Sequence, residues 1–305
     1  MSEKVYIIGH KVPDLDSVAA AISYADFKNI IEETDKYMPA VPGKINKETK
    51  YALDKFKFSQ PEELSGAENK NIILVDHNEF SQAITGAPDA NIIEVLDHHK
   101  VDFKYNKPIL FNIKPWGASC SIIADMYFNL DLEPDKNLAG LMLSAILIDT
   151  VLTKSPTCTS IDKIIIEKLS EIAEIEDWNK FGMELFKVRS SVSDLNAKEI
   201  IKSDYKDFNF KDGKFGIGQV ETADLTEFKQ KEEELISEIK KIKENGGYHT
   251  VILMITDIIN EGSWVLVDSD ESEKIEKDLG IKFENKKAYK KGLLSRKKQL
   301  VPKFT

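Results

Sequence analysis

Short apolar runs alternate with amphipathic segments through the first half of the chain. Three runs rich in β-branched residues, at 5–8, 71–75 and 92–96, are continuously apolar and predict buried strands. Amphipathic segments predict helices that begin near Ser17, Glu48 and Ser119. This alternation is typical of a doubly wound α/β domain with a mainly parallel sheet, in which ligands bind beyond the carboxyl ends of the strands.

Three further helices are predicted at 136–148, 160–175 and 178–190, before the second half of the chain begins. The second half has a different order of elements. A charged and polar stretch at 190–205 predicts a connector. The pattern beyond the connector predicts a strand at 214–220, a helix at 224–243 and strands at 250–256 and 263–267. This order is typical of a smaller α/β domain with a mixed sheet.

We therefore expect a first domain over residues 1–190, a linker over 191–195 and a second domain over 196–305. A chain of 305 residues is long enough for two domains with ordinary cores. Two domains form a cleft, which is the usual place for a ligand, so we expect the active site there.

Composition mainly excludes other classes of protein. A hydrophobic content of 42% and a charged content of 31% are those of a globular protein. The formal net charge of −10 argues against a general nucleic-acid binder. The longest nearly apolar run, at 138–148, is too short to span a bilayer, and the first residues lack the apolar region of a signal peptide. The only two cysteines, Cys120 and Cys158, suit a reducing compartment, so we expect a cytoplasmic protein that binds neither nucleic acid nor membrane.

Histidines and aspartates follow three predicted strands at the point where each strand ends. The segments GHKVPDLDS, VDHNE and LDHHK place there His10, Asp14, Asp16, Asp76, His77, Asp97, His98 and His99. Because the carboxyl ends of parallel strands meet at one edge of a sheet, we expect these side chains to converge. Imidazole and carboxylate without thiolate suit Mn²⁺, Co²⁺, Fe²⁺ or Zn²⁺. A structural alternative remains for Asp16, which could cap the helix that begins at Ser17.

The number of carboxylates exceeds what one metal ion needs. Two ions about 3.5–4 Å apart, bridged by a carboxylate, would use them all and would remove the repulsion between Asp14 and Asp16. Asp149 follows an apolar helix end, where an ionised carboxylate is costly unless a cation accompanies it. The alternative for Asp149 is a helix-terminal side chain that faces solvent.

A strongly basic run, KKAYKKGLLSRKKQ at 286–299, lies near the end of this acidic chain. Such a run is often only a solvated surface. Arg296 can nevertheless bind a phosphate with two parallel hydrogen bonds, and Lys297 or Lys298 can act as a point charge. A metal cluster on one domain and a cationic segment on the other describe a site for a small, highly charged phosphate.

These motifs give the chain a family resemblance. GHKVPDLDS, VDHNE, LDHHK, SPTCT and SRKKQ together resemble the manganese-dependent (family II) inorganic pyrophosphatases of the DHH phosphoesterase superfamily. The resemblance extends over essentially the whole chain. It implies hydrolysis of pyrophosphate to two orthophosphates by a bridging hydroxide that two Mn²⁺ or Co²⁺ ions activate, with additional Mg²⁺ arriving with the substrate. It also implies a homodimer that forms through first-domain sheet edges.

The resemblance further implies a role for each motif residue. One metal ion would be held by His10 and Asp14, and the other by Asp16, His98 and Asp149. Asp76 would bridge both ions. The substrate phosphates would be held by His99, Lys206, Arg296 and Lys297. Lys298 matches the family motif but is less clearly a direct contact.

The chain departs from the family pattern at two places. Val12 stands where family members usually have Asn, and residues 117–123 differ from the usual pattern. We expect Val12 to alter contacts around the metal ligands rather than the reaction. The chain has no room for the inserted nucleotide-binding region of the regulated subgroup, so we expect no control by adenine nucleotides.

Two other functions are compatible with parts of the sequence. A DHH exonuclease, oligoribonuclease or cyclic-dinucleotide phosphodiesterase would share the first domain. It would also need a glycine-rich motif in the second domain, of which NGGYH at 245–249 is a poor match and is better explained as the end of a helix. A non-catalytic metal- or phosphate-binding module is the remaining alternative.

Overall fold

The computed structural model describes residues 4–304, which divide into two compact units. The first unit ends at Arg189 and the second begins at Ser190. Val192, in the predicted linker, is buried in a hydrophobic cluster of the second unit.

A six-stranded parallel sheet forms the centre of the first unit. Its strands are β1 (Val5–Ile8), β2 (Tyr37–Val41), β3 (Glu62–Glu63), β4 (Asn71–Val75), β5 (Asn91–Asp97) and β6 (Leu110–Ile113). They lie in the order β3-β2-β1-β4-β5-β6. The direction of winding reverses between β1 and β4, and ligands bind beside such a reversal in doubly wound sheets. The predicted parallel α/β fold is confirmed.

Six helices accompany this sheet: α1 (Leu15–Ile31), α2 (Lys47–Lys55), α3 (Ser119–Asn129), α4 (Lys136–Asp149), α5 (Ser160–Ile172) and α6 (Trp178–Ser190). Helix α1 packs against β1, β2, α3 and α4. Its consecutive buried residues Ala19, Ala20 and Ala21 have small side chains, which allows neighbouring elements to approach closely. An apolar cluster joins residues of β1, β2, β4 and β5 to the two loops that connect β3 to β4 and β4 to β5.

The sequence pattern missed strands β2, β3 and β6. Strand β2 contains Pro39, which lacks a backbone N–H and usually argues against a central strand. Proline is tolerated here because β3 pairs only with Ala40 and Val41, so the outer side of Pro39 has no strand neighbour to bond. Strand β6 is short, and its residues are exposed or half-buried, so it lacks the continuous apolar run of β4.

The second unit contains a mixed sheet, as predicted, but only three of its five strands were predicted. Its strands are β7 (Tyr205–Phe210), β8 (Gly213–Thr222), β9 (Thr250–Asp257), β10 (Gly262–Ser269) and β11 (Lys287–Lys291). Their order is β11-β10-β9-β8-β7, with β8 and β9 parallel and the other neighbours antiparallel. Helices α7 (Ala197–Lys202), α8 (Thr226–Gln230), α9 (Glu232–Gly246) and α10 (Ser272–Leu279) complete the unit with a π-helical turn at Arg296–Leu300.

Two local predictions for this unit were wrong. The supposed connector at 190–205 contains α7, whose start is stabilised by reciprocal hydrogen bonds between Asn196 and Glu199. The helix predicted at 224–243 is interrupted at Lys231, which separates α8 from α9. The basic run at 286–299, for which no element was predicted, contains the lysine-rich edge strand β11. Gly247 ends α9 in the left-handed conformation, which agrees with the interpretation of NGGYH as a helix end.

Within residues 4–304, no helix combines the length and the apolar character needed to cross a membrane.

Candidate active site

Three loops meet beyond the carboxyl ends of β1, β4 and β5. His10 follows β1, Asp76 follows β4 and His98 follows β5. Asp76 lies between the two histidines, with its Oδ2 atom 3.4 Å from His10 Nε2 and its Oδ1 atom 3.3 Å from His98 Nε2. Asp76 also has a positive φ of 63°, which is uncommon for residues other than glycine and is concentrated at functional sites.

The predicted metal ligands form two groups that share one residue. Within each group the candidate ligand atoms lie within 4.8 Å of one another. One group consists of His10, Asp14 and Asp76. The other consists of Asp16, Asp76, His98 and Asp149. A carboxylate that belongs to both groups has the position that a bridging ligand requires.

The two aspartates of GHKVPDLDS have different neighbours. Asp14 is the N-cap of α1, because its Oδ1 accepts a hydrogen bond of 2.9 Å from the backbone N–H of Ser17. The alternative that Asp16 caps this helix was therefore wrong. Asp16 lies in the first turn and is fully buried, where its carboxylate accepts hydrogen bonds from the backbone N–H groups of Ser119, at 2.7 Å, and Cys120, at 3.0 Å. These N–H groups begin α3, where the helix dipole favours a negative charge.

The segment Trp116–Cys120 orients further candidate ligands. His98 Nδ1 lies 3.0 Å from the carbonyl oxygen of Trp116, so Nδ1–H donates and Nε2 faces the carboxylates. The hydroxyl of Ser119 donates to Asp76 Oδ1 at 3.0 Å. In the sequence, residues 117–123 stand out only as a departure from the family pattern. Their one local signal was a run of small residues, GAS, at the predicted start of a helix.

Asp149 is the last residue of α4, and its side chain is 20% exposed. Its Oδ2 atom lies 3.8 Å from His98 Nε2. The alternative of a fully solvent-facing side chain is therefore wrong, because Asp149 faces the shared cluster.

The electrostatics of this cluster favour a bound cation. Burial and the negative charge of Asp76 raise the pKa of Asp16 to about 7, and burial with neighbouring carboxylates raises the pKa of Asp149 well above its usual range. Burial alone would lower the pKa of His10 and His98, but the neighbouring carboxylates raise both to about 10. The raised pKa values of both acids and both histidines indicate a negative electrostatic potential in the cluster, and such a potential favours a bound cation.

Two further observations test whether a metal ion fits. The Nε2 atom of His98 is buried without a hydrogen-bond partner among the described residues, as expected for a ligand nitrogen. Burial would raise the pKa of Asp76, but the neighbouring rings of His10 and His98 hold it below the usual range, so this central carboxylate is ionised. The donor set of imidazole and carboxylate fits Mn²⁺.

His99 differs from His98 because its ring is 54% exposed. Its Nδ1 atom lies 2.8 Å from Oδ1 of the buried Asp97, and this hydrogen bond raises the pKa of His99. Asp97 also accepts hydrogen bonds from the backbone N–H groups of His98 and His99 and from the side chain of Asn78. The sequence predicts that Asp97 lies among the converging side chains but gives it no individual role, and nothing in the local sequence distinguishes Asn78 from a loop-forming residue.

A pocket of about 450 Å³ adjoins the cluster and is lined by residues that include His10, Asp76, His77 and His99. Val12, the residue that departs from the family pattern, also lines it and is 72% exposed. The Nε2 atom of His77 is buried without a hydrogen-bond partner among the described residues, while its Nδ1 atom lies 2.9 Å from the carbonyl oxygen of Val75.

The predicted phosphate-binding residues of the second unit have two kinds of environment. Lys206, Lys297 and Lys298 are exposed, and none of them forms an ion pair with a carboxylate of the described residues. Arg296 is buried, and its Nη2 atom lies 2.8 and 2.9 Å from the two carboxylate oxygens of Asp204. Its Nη1 atom donates to the backbone carbonyls of Asp204, at 2.6 Å, and Ile217, at 3.1 Å.

Comparisons with known proteins agree with this fold and site. The model of the DHH family, N-terminal domain, matches residues 4–146, and that of the DHHA2 domain matches residues 183–305. Manganese-dependent inorganic pyrophosphatases of Methanothrix thermoacetophila and Methanocaldococcus jannaschii are 46% and 43% identical to this chain. The first alignment covers 99% of this chain and 97% of the relative, and the second covers 97% of each.

A solved structure is also similar over nearly the whole chain. It is a crystal structure from Methanococcus jannaschii that is assigned to the family II inorganic pyrophosphatases. It has a TM-score of 0.65 and 42% sequence identity, and the alignment covers 98% of both chains.

A parallel α/β unit with histidine and aspartate at three strand ends, followed by a mixed-sheet unit, defines a DHH–DHHA2 enzyme. The identity over the full length is more specific. The chain belongs to the manganese-dependent inorganic pyrophosphatases, and the resemblance inferred from its motifs is confirmed.

Proposed function

We propose that this enzyme hydrolyses inorganic pyrophosphate to two orthophosphates with two Mn²⁺ ions in each subunit. The main supporting observation is that Asp76 belongs to all three groups of candidate ligands among the described residues, two of which together contain every predicted metal ligand. The relatives are named for manganese dependence and for this substrate. Co²⁺ suits the same donors, and Mg²⁺ would accompany the substrate.

In this proposal the ligands of one ion are His10, Asp14 and Asp76, and those of the other are Asp16, Asp76, His98 and Asp149. When bound, two such ions polarise phosphoryl oxygens and lower the pKa of a coordinated water. The chain itself supplies the orientation. The N–H groups at the start of α3 hold Asp16, and the carbonyl of Trp116 fixes the His98 ring so that Nε2 is available.

The phosphates would be held by His99, Lys206, Arg296 and Lys297. Fixed positive charge and N–H donors stabilise the charge that develops on phosphoryl oxygens during transfer. His99 is suited to donate from Nε2, since Asp97 holds its Nδ1. Arg296 could bind phosphate directly only after Asp204 releases it, and the side chain of Asp204 is 55% exposed and so has room to move.

Release of phosphate tests this function. Metal-stripped protein is reloaded with Mn²⁺ plus Mg²⁺ and supplied with pyrophosphate, tripolyphosphate or a dinucleotide. We expect rapid turnover of pyrophosphate alone, its loss in Asp76→Ala, and its retention in the matched control Asp54→Ala, because Asp54 is exposed on α2. A preference for the dinucleotide would indicate a nuclease, and no turnover of any substrate would indicate a binding module.

We also propose a cytoplasmic homodimer that forms through β6. This strand pairs only with β5 among the described residues, which leaves its other edge free for a partner strand. Leu110 and Phe111 of β6 are 57% and 37% exposed, which is unfavourable for an isolated surface. Light scattering should give twice the chain mass, and Phe111→Pro should reduce it to that of one chain. The N–H of Lys114 donates to Asp97 of β5, so alternation along the strand turns the N–H of Phe111 toward the free edge, and proline removes it.

A further inference from the structure

Three consecutive non-glycine residues have a left-handed backbone directly after the last helix of the candidate metal site. Val151, Leu152 and Thr153 have φ values of 49°, 53° and 64°. This region disfavours residues with a Cβ atom, most of all the β-branched Val151 and Thr153. A helix often ends with one left-handed residue, but that residue is usually glycine.

Backbone hydrogen bonds give this segment, the left-handed turn Val151–Thr153, a defined geometry. The N–H of Leu152 donates to the carbonyl of Leu147 at 2.9 Å, as in a Schellman helix end. The N–H of Ser155 donates to the carbonyl of Thr150 at 2.8 Å, and that of Lys154 donates to Val151 at 3.0 Å. Such bonds exist in many helix ends and do not explain the absence of glycine.

A side-chain contact explains why the strained conformation persists. Leu152 is only 4% exposed and packs against Gly182, a glycine inside α6. A Cβ atom at Gly182 would lie 2.2 Å from Leu152 Cδ2, so any larger residue there would displace the leucine. Glycine is unfavourable inside a helix, but this close contact with Leu152 requires a residue without a side chain. Leu152 and Gly182 therefore hold the left-handed turn in place.

The turn is coupled to two parts of the candidate site. Asp149 precedes it by one intervening residue, Thr150, which is fully buried. A Cβ atom at Gly117 would lie 2.5 Å from Thr150 Cγ2, so Thr150 packs closely against the segment Trp116–Cys120. That segment orients His98 through the carbonyl of Trp116.

We propose that the left-handed turn Val151–Thr153, held by Leu152 against Gly182, positions Asp149 and thereby sets the affinity of one of the two metal sites. This inference rests on the proposed function, because it assumes that Asp149 is a metal ligand. Leu152 is then a positioning residue, since it acts only through Asp149. Strain of this kind persists where the surrounding structure dictates it, and it is concentrated at functional sites.

Binding of Mn²⁺ to the metal-stripped full-length chain, measured by calorimetry, tests the inference. Leu152→Ala should weaken one of two sites about tenfold or more and change the other by less than about twofold. The matched control is Leu53→Ala, a truncation of an equally buried leucine on α2. It should lower the unfolding temperature to a similar extent and leave both Mn²⁺ affinities unchanged. Equal losses of affinity in the two variants would overturn the inference.

Val151→Gly provides a second test in case Leu152→Ala does not fold. Glycine removes the steric cost of the left-handed conformation and also lets the backbone leave it. We expect an unfolding temperature no lower than that of the wild type together with weaker binding at one site only. If the turn were only a structural helix end, Val151→Gly would not weaken Mn²⁺ binding while leaving the unfolding temperature unchanged. Wild-type affinity at both sites would therefore contradict the positioning role.

The wild-type protein distinguishes this inference from the proposed function. Binding of two Mn²⁺ ions without hydrolysis of pyrophosphate would refute the function and leave the binding test decisive. Binding of fewer than two ions would refute both.

Discussion

The charged residues of the two units are organised in opposite ways. In the first unit the two most buried acids of the candidate site are fixed by hydrogen bonds, Asp16 by backbone N–H groups at the start of α3 and Asp76 by the hydroxyl of Ser119. In the second unit Lys206, Lys297 and Lys298 are exposed, without an ion pair to any carboxylate that the structure describes. Carboxylates that must converge on a small cation need a fixed geometry, whereas lysine is a flexible point charge that an anion can order on binding.

Arg296 is the exception in the second unit. Its buried guanidinium forms four hydrogen bonds to Asp204 and Ile217, so it resembles the first unit in being held by its surroundings. We infer that Arg296 contributes to stability in this state, and that the lysines contribute to activity without contributing to stability.

The largest effect should come from the centre of the first unit. Asp76→Asn keeps the shape of the side chain but removes the charge shared by both ligand groups, so kcat should fall about 10³-fold or more. Steady-state phosphate release with Asp54→Asn as control measures this. A decrease in kcat of less than tenfold would show that Asp76 is not the bridging ligand.

Removal of metal should destabilise the first unit. Mn²⁺ at about 100 times its dissociation constant stabilises the folded state by about 2.7 kcal/mol per independent site. The unfolding temperature should therefore fall on chelation and recover when Mn²⁺ is restored. The unfolding temperature of Asp76→Asn should change little on chelation or on addition of Mn²⁺. If the unfolding temperature of the wild type were equally insensitive to Mn²⁺, the chain would have no preformed metal site.

An exposed lysine should show the reverse behaviour. Lys297→Ala should lower kcat/KM about 10- to 100-fold, because one charge-assisted contact to phosphate is lost. Its unfolding temperature should stay at the wild-type value, since Lys297 forms no ion pair with a carboxylate in the part of the chain described. Lys282→Ala, an exposed lysine elsewhere in this unit, is the matched control. Equal kinetics in both variants would show that Lys297 is only a solvated side chain.

Arg296→Lys should affect stability most directly. Lysine cannot reproduce the paired hydrogen bonds to Asp204, and we expect a loss of about 1–2 kcal/mol in the free energy of unfolding. Urea denaturation measures the loss, with Lys298→Arg as a control in the same π-helical turn. If Arg296→Lys is as stable as the wild type, the ion pair with Asp204 is weaker than its geometry indicates.

Local patterns were sufficient for much of the fold. Continuous apolar runs identified β1, β4 and β5, and amphipathic spacing gave the starts of α1, α2 and α3 within two residues. Both signals arise from burial of a short segment, so they are visible within a few residues. Strand β2 was missed because Pro39 argues locally against a strand, and only the short length of β3 makes proline acceptable there.

The candidate site likewise has features that are visible in the local sequence and others that depend on contacts between distant segments. The sequence by itself determined which histidines and aspartates stand at strand ends, and parallel strands bring such ends together. Tertiary structure alone decided that Asp16 binds backbone N–H groups 103 and 104 residues away, and that Arg296 binds Asp204 across 92 residues. It also decided that Leu152 packs against Gly182. Hydrogen bonds and packing between distant segments leave no periodic pattern in the chain, because their geometry exists only once the sheets and helices have assembled.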